Sequence, residues 1–135
     1  MGAQAGAQRL GATVYEVAPG GRVSPLHVHH ANEELVVVLA GRPTLRGAQG
    51  ASRELAPGEV VACPAGRAGA HRVENATSEP ARVLIVSTMV FPEVAEHLDS
   101  EKVLVMTAPP DLAGPEDVLL AFPRDQAVDA LAGEG

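Results

Sequence analysis

Tryptophan is absent from this 135-residue chain, and only Tyr15, Phe91 and Phe122 are aromatic. A core must therefore be built from Val, Leu, Ile and Ala, which suffices for folding when volume and pattern are right. Cys63 is the single cysteine, so no disulfide can form within the chain and nothing points to an oxidising compartment. The ten Lys and Arg residues are scattered singly against 17 Asp and Glu, for a net charge of -7. Without a basic cluster, neither nucleic acid nor an anionic membrane surface is expected as a partner. No segment approaches the roughly 18 consecutive apolar residues of a membrane span. The opening residues, "MGAQAGAQRLGATV", lack the basic-then-apolar order of a secretory leader, and the expectation is a soluble cytoplasmic protein. The length suits one domain, residues 1–135, with room for a sizeable core.

What is present reads as short strands between turn residues. "ATVYEVA" alternates around Tyr15 and stops at Pro19-Gly20-Gly21, whereas "EELVVVLA" is apolar on both faces and closed by Gly41. "PTLRG", "SRELA", "EVVAC", "HRVENA" and "ARVLIVSTMV" follow, separated by Gly and Pro, a pattern that predicts an antiparallel sandwich or barrel. From about residue 92 a C-terminal extension is expected, with one or two helical turns in "PEVAEHL", a strand in "KVLVM" and a short helix in "PRDQAVDALAG".

The densest chemistry lies between residues 27 and 34, where His27, His29, His30, Glu33 and Glu34 fall together. On an extended segment His27 and His29 project from one face and can share an ion, while His30 points to the other face as a solvated residue. Either glutamate could add a carboxylate. Glu33 has the parity of His29 only if the chain runs straight through Asn32, where a turn is expected.

Two glycine-bounded blocks organise these residues. The first runs Gly21, five residues, His27, one residue, His29, four residues, Glu34, six residues, Gly41. The second runs Gly58, five residues, Pro64, one residue, Gly66, then four residues to His71 and three more to Asn75. They resemble the two conserved motifs of the cupin superfamily, although the second carries four residues rather than two between its last glycine and its histidine. The resemblance covers residues 21–41 and 58–75 and implies an all-β double-stranded β-helix, a jelly-roll barrel with one internal metal site. It also implies that His71 supplies a third imidazole and favours Glu34 over Glu33 as the carboxylate.

Three imidazoles and one carboxylate suit one Fe, Mn, Ni, Zn or Cu ion per chain. Such a set leaves positions for small molecules, and dioxygenase-type oxidoreductase chemistry on a small organic substrate is the leading expectation. An isomerase or lyase and a non-catalytic ligand sensor are the alternatives. Tyr15 is the one phenol, either a proton donor in the barrel or a plain strand aromatic, and a buried structural role is expected for Cys63. Asn75 is expected to serve a turn. Isologous homodimers, common among small cupins, are expected here, with the apolar segments "ATVYEVA" and "VLLAF" covering a neighbour's sheet edge.

Overall fold

In the computed structural model, which describes residues 1–134, eleven strands form two antiparallel sheets. The strands are β1 (Leu10–Val17), β2 (His27–His29), β3 (Glu34–Ala40), β4 (Thr44–Gly47), β5 (Ser52–Glu54), β6 (Val60–Cys63), β7 (His71–Glu74), β8 (Ala81–Thr88), β9 (Glu93–His97), β10 (Lys102–Met106) and β11 (Leu119–Pro123). The four-stranded sheet has the order β1-β8-β3-β6, and the seven-stranded sheet the order β11-β10-β9-β2-β7-β4-β5. This is the jelly-roll architecture that the strand spacing and the motifs imply.

Side-chain alternation divides the four-stranded sheet into an inner and an outer face. Register places Gly11, Ser87, Glu34 and Cys63 on one inward rung, Thr13, Ile85, Val36 and Val61 on the next, and Tyr15, Val83 and Val38 on a third. The lower rungs form the core, where Val17, Val36, Val38, Leu55, Cys63, Val73, Ala81 and Val83 pack together. Each fully buried valine contributes roughly 1.5–3 kcal/mol. The outer face stays largely apolar, with Leu35, Leu39 and Val60 exposed.

Gly41 shows why the first block must end in glycine. Its φ is +76°, and a Cβ there would stand 2.7 Å from the Cα of Ala81 and the carbonyl oxygen of Pro80. Asn75 closes the second block as expected. Its amide donates to the carbonyls of Val17 and Glu79 at 2.9 and 2.8 Å, and its carbonyl accepts from Thr77.

The helical expectations after residue 92 need correction. Glu93–His97 is a strand, and the predicted helix in "PRDQAVDALAG" is reduced to a single 3-10 turn at Arg124–Gln126. Pro92 followed by an acidic residue resembles a helix start, but β9 gains two partners by lying between β2 and β10. The extension thus supplies a strand beside the histidines. Among the described residues no helix is long and apolar enough to cross a membrane.

Candidate metal centre

His27 and His29 stand two apart on β2 and share its inward face, and His71 is the register partner of His27 on β7. Glu34 starts β3 in the opposing sheet and faces them. Its Oε2 lies 3.7 Å from Nε2 of His27, 3.8 Å from Nε2 of His29 and 2.9 Å from Nε2 of His71. Ligand atoms of His27, His29 and Glu34 all lie within 4.8 Å of one another.

The surroundings fix the rings. Nδ1 of His27 donates to the carbonyl of Pro25 at 3.0 Å, and Nδ1 of His71 donates to that of Gly69 at 2.9 Å. A carbonyl can only accept, so Nδ1 carries the hydrogen and Nε2 is turned towards Glu34. Buried Nε2 of His71 stands 2.9 Å from Oε2 of Glu34 without making a well-formed hydrogen bond to it. Buried polar atoms are seldom left unpaired, and this nitrogen, converging with a carboxylate and two further imidazoles, fits a cation. Nδ1 of His29, on the side of its ring that faces Glu93, is also without a partner.

Burial would raise the Glu34 carboxyl, but His27 and His71 beside it and the charge of His29 hold it well below the usual carboxylate range. Burial would depress His71, yet the Cys63 sulfur and Glu34 raise it to about 10. In His29 burial prevails over Glu34, and with His27 nearby its pKa falls. Without metal, a proton on His71 therefore offsets the carboxylate.

The other sequence candidates separate clearly. Glu33 is exposed, its backbone paired with Thr88, so the structure brings Glu34 rather than Glu33 to the imidazoles. His30 points away from the cluster as expected, but it is not simply solvated: its Nε2 lies 2.7 Å from Oε1 of Glu96, which is only 6% exposed. Cys63 is buried opposite Glu34 in the register. Tyr15 sits two rungs below Glu34, about 14 Å along the sheet, and lines the same cavity. The extra residues of the second block form a 3-10 turn at Arg67–Gly69, which leaves His71 in register with His27.

Glu93 is the residue that the sequence reading missed. Only 1% exposed, it accepts from the backbone N–H groups of His30 and Ala31 at 2.9 and 3.1 Å and from the Asn32 amide. Its Oε2 lies 3.6 Å from Nδ1 of His29. A carboxylate behind a ligating imidazole fixes its orientation and raises its basicity. Glu93→Gln is expected to weaken metal binding about 10- to 100-fold. Unchanged affinity in a metal titration would remove that role. Reading "PEVAEH" with a strand period would have put Glu93 on one face with Ala95 and His97, but the pairing that brings this face beside His27 and His29 comes only from the β2–β9 register.

A cavity of about 660 Å³ opens above the cluster, lined by His29, Asn32, Glu34, Ser87, Thr88 and Glu93 at its base. With the two motifs now meeting at one centre, comparison with known proteins is decisive: the cupin domain family model matches residues 13–87. The chain belongs to the cupin family. Among curated proteins none matches it in sequence. The crystal structure of a cupin-superfamily sugar phosphate isomerase from Silicibacter pomeroyi is 27% identical, with a TM-score of 0.81 over 96% of this chain and 78% of that one. A putative sugar phosphate isomerase from Acidithiobacillus ferrooxidans is likewise 27% identical, with a TM-score of 0.74 over 88% of this chain and 71% of that one. The polyketide cyclase RemF from Streptomyces resistomycificus is 32% identical, with a TM-score of 0.55 over 64% of this chain and 58% of that one.

Proposed function

We propose that this cupin is a metal-dependent enzyme that moves a proton next to a carbonyl in a small organic molecule, as an isomerase does. The observation that carries the reading is the convergence of three Nε2 atoms on Oε2 of Glu34 at the base of a cavity of about 660 Å³. His27, His29, Glu34 and His71 would hold the ion. A bound divalent cation would supply Lewis-acid polarisation of a carbonyl oxygen. Likeness to two structures described as sugar phosphate isomerases, extending over 96% and 88% of this chain, supports proton transfer as the reaction class.

The chain's own groups divide the remaining work. Glu93, its carboxylate kept in place by three N–H donors, stands 3.6 Å behind Nδ1 of His29 and would take up that N–H when the ring turns Nε2 to an ion. Ser87, on the same inward rung as Glu34, would accept a hydrogen bond from the reacting end of the substrate, whereas the Thr88 hydroxyl is taken up by Asn32 and the Glu33 N–H and instead steadies the turn beside the site. Tyr15, the candidate proton donor from the sequence, lies about 14 Å along the sheet from Glu34, too far to exchange a proton with a carbonyl at the metal centre, and is left with a place in the cavity wall.

A second reading, dioxygenase-type chemistry, is favoured by the apolar side chains of Met89, Phe91 and Met106 among the cavity's lining residues, which suit an apolar gas and an apolar substrate. One experiment separates the two. Metal-loaded protein is incubated in D2O with a panel of hydroxy-carbonyl and keto compounds, and deuterium entry beside the carbonyl and dioxygen uptake are both followed. Metal-dependent deuterium entry that is lost in His71→Ala supports proton transfer. Dioxygen uptake without it, with nitric oxide binding to Fe(II)-loaded protein, transfers the assignment to an oxygenase. Neither, in fully loaded protein, leaves a non-catalytic ligand sensor.

We further propose a homodimer. β1 and β11, the strands of "ATVYEVA" and "VLLAF", are edges of their sheets, and the outer face of the β1 sheet carries exposed Leu35, Leu39 and Val60 on β3 and β6. Light scattering at roughly tens of micromolar, where a stable interface stays closed, is expected to give twice the chain mass. A monomer mass would reject the dimer.

A further inference from the structure

The chain has few large, polarisable side chains, and they gather in one place. Both internal methionines, Met89 and Met106, and two of the three aromatic residues, Tyr15 and Phe91, line the cavity, Tyr15 two rungs below Glu34 and Met89 two residues beyond Ser87 on the other side of it. The buried core cluster holds only Val, Leu, Ala and Cys63, with no methionine or aromatic ring. Core packing therefore does not explain where these residues stand. Met89, Phe91 and Met106 are each half-buried, packed on one side and open on the other. Gly11 belongs to the same arrangement, since a Cβ there would lie 2.8 Å from the Met89 sulfur. Glycine inside a strand weakens it, and here it makes room for Met89 over the cavity.

The lower wall has the opposite character. It presents oxygen and nitrogen groups around Glu34, and its carboxylates, Glu34 and Glu93, are joined on the rim by Asp111. A phosphate dianion in the cavity would share it with these three carboxylates, and no Lys or Arg side chain is among the lining residues to offset its charge. The volume is that of a drug-sized ligand site, roughly 300–1,000 Å³. Methionine beside an aromatic ring suits an apolar body of irregular shape, because the thioether side chain adapts to it.

We propose that the cavity takes an uncharged molecule with two oxygens at one end, directed to the metal centre, and an apolar body held by Met89, Phe91 and Met106. This deepens the metal-enzyme reading and rests on it, but it separates the substrate from the phosphorylated sugars named for the relatives. An enolisable diketone with an aryl or branched alkyl group has the required chemistry. Proton movement beside its carbonyl needs no further reactant.

The test uses full-length protein carrying ¹³C-methyl methionine and loaded with Co(II). The Met89 and Met106 methyl signals then report on the cavity, and their displacement by the paramagnetic ion reports loading independently of any ligand. Benzoylacetone, acetylacetone and glucose phosphate are the probes. Benzoylacetone is expected to shift both signals and to bind about tenfold more tightly than acetylacetone, the gain being burial of its ring. Glucose phosphate is expected to move neither signal. Met89→Gln and Met106→Gln should each reduce the preference for benzoylacetone over acetylacetone to about threefold or less at full cobalt loading. Equal affinity for the two diketones, tight binding of glucose phosphate, or loaded protein that ignores benzoylacetone would overturn this assignment and leave the metal centre standing. Absence of any cobalt effect on the methionine signals would instead remove the metal centre, and the substrate assignment with it.

Discussion

Glu34→Gln is expected to lower affinity for a divalent transition metal by more than the roughly 10- to 100-fold that removal of an outer hydrogen-bond partner costs, while Glu33→Gln has little effect. Oε2 of Glu34 is the atom on which His27, His29 and His71 converge, and the substitution removes the one negative charge facing all three. The adjacent Glu33 is exposed and provides a control of the same chemistry in the same turn. The titration should also depend on pH in a definite direction. Because the metal-free His71 is raised to about 10, it carries a proton at pH 8, and metal uptake must displace that proton. Affinity is therefore expected to rise about tenfold per pH unit between pH 7 and 9, with about one proton released per ion. Calorimetry in two buffers of different ionisation enthalpy measures the release. Equal metal affinity in wild type and Glu34→Gln would transfer the ligand role elsewhere, and pH-independent uptake would show that His71 is not displaced from its proton.

The inward pair His27 and His29 was legible because strand alternation has a period of two and the H-x-H spacing obeys it. The choice of Glu34 over Glu33 was less secure from the residues alone, since it depends on how the chain passes Asn32. There the Asn32 amide donates to the Val90 carbonyl at 3.0 Å and its carbonyl accepts from the Val90 N–H at 2.7 Å, long-range bonds with no local signal. Glu93 was hidden for a related reason. Pro92 and the acidic residue after it satisfy a local helix-start pattern, while the strand it actually begins is specified by pairing with β2, more than sixty positions away in the hydrogen bonds from His30 and Ala31. Glu96 shows the same limit, since a carboxylate shared by His30, Arg67 and Arg124 joins three distant segments. The barrel itself was easier to read, because alternating short strands and Gly/Pro turns are local features repeated many times.

Gly69→Ala is expected to destabilise the protein by about 2–4 kcal/mol and to weaken metal binding in the same step. A Cβ at this position would lie 1.7 Å from the carbonyl oxygen of Pro64 and 2.7 Å from its carbonyl carbon, and both are backbone atoms that cannot rotate away. The turn is held on either side, since the Gly66 N–H donates to the His29 carbonyl at 2.7 Å and the Gly69 N–H donates to the Gly66 carbonyl at 3.0 Å. Relief of the clash must therefore move the Arg67–Gly69 turn, and with it the Gly69 carbonyl that fixes Nδ1 of His71. The expected fall in Tm is on the order of 10 °C, from the per-residue unfolding entropy of a domain of this size. Loss of the ring's hydrogen bond should lower metal affinity about 10- to 100-fold. Gly50→Ala is the control: Gly50 has a φ of +80° and no atom within 4 Å of an added Cβ, so it carries only the conformational penalty of about 1 kcal/mol and should leave metal binding intact. Thermal unfolding and metal titration of the two variants separate a clash in the His71 loop from a general glycine effect. If Gly69→Ala kept the wild-type Tm and affinity, the turn would have to be more compliant than its backbone contacts allow, and its role in holding His71 would fall.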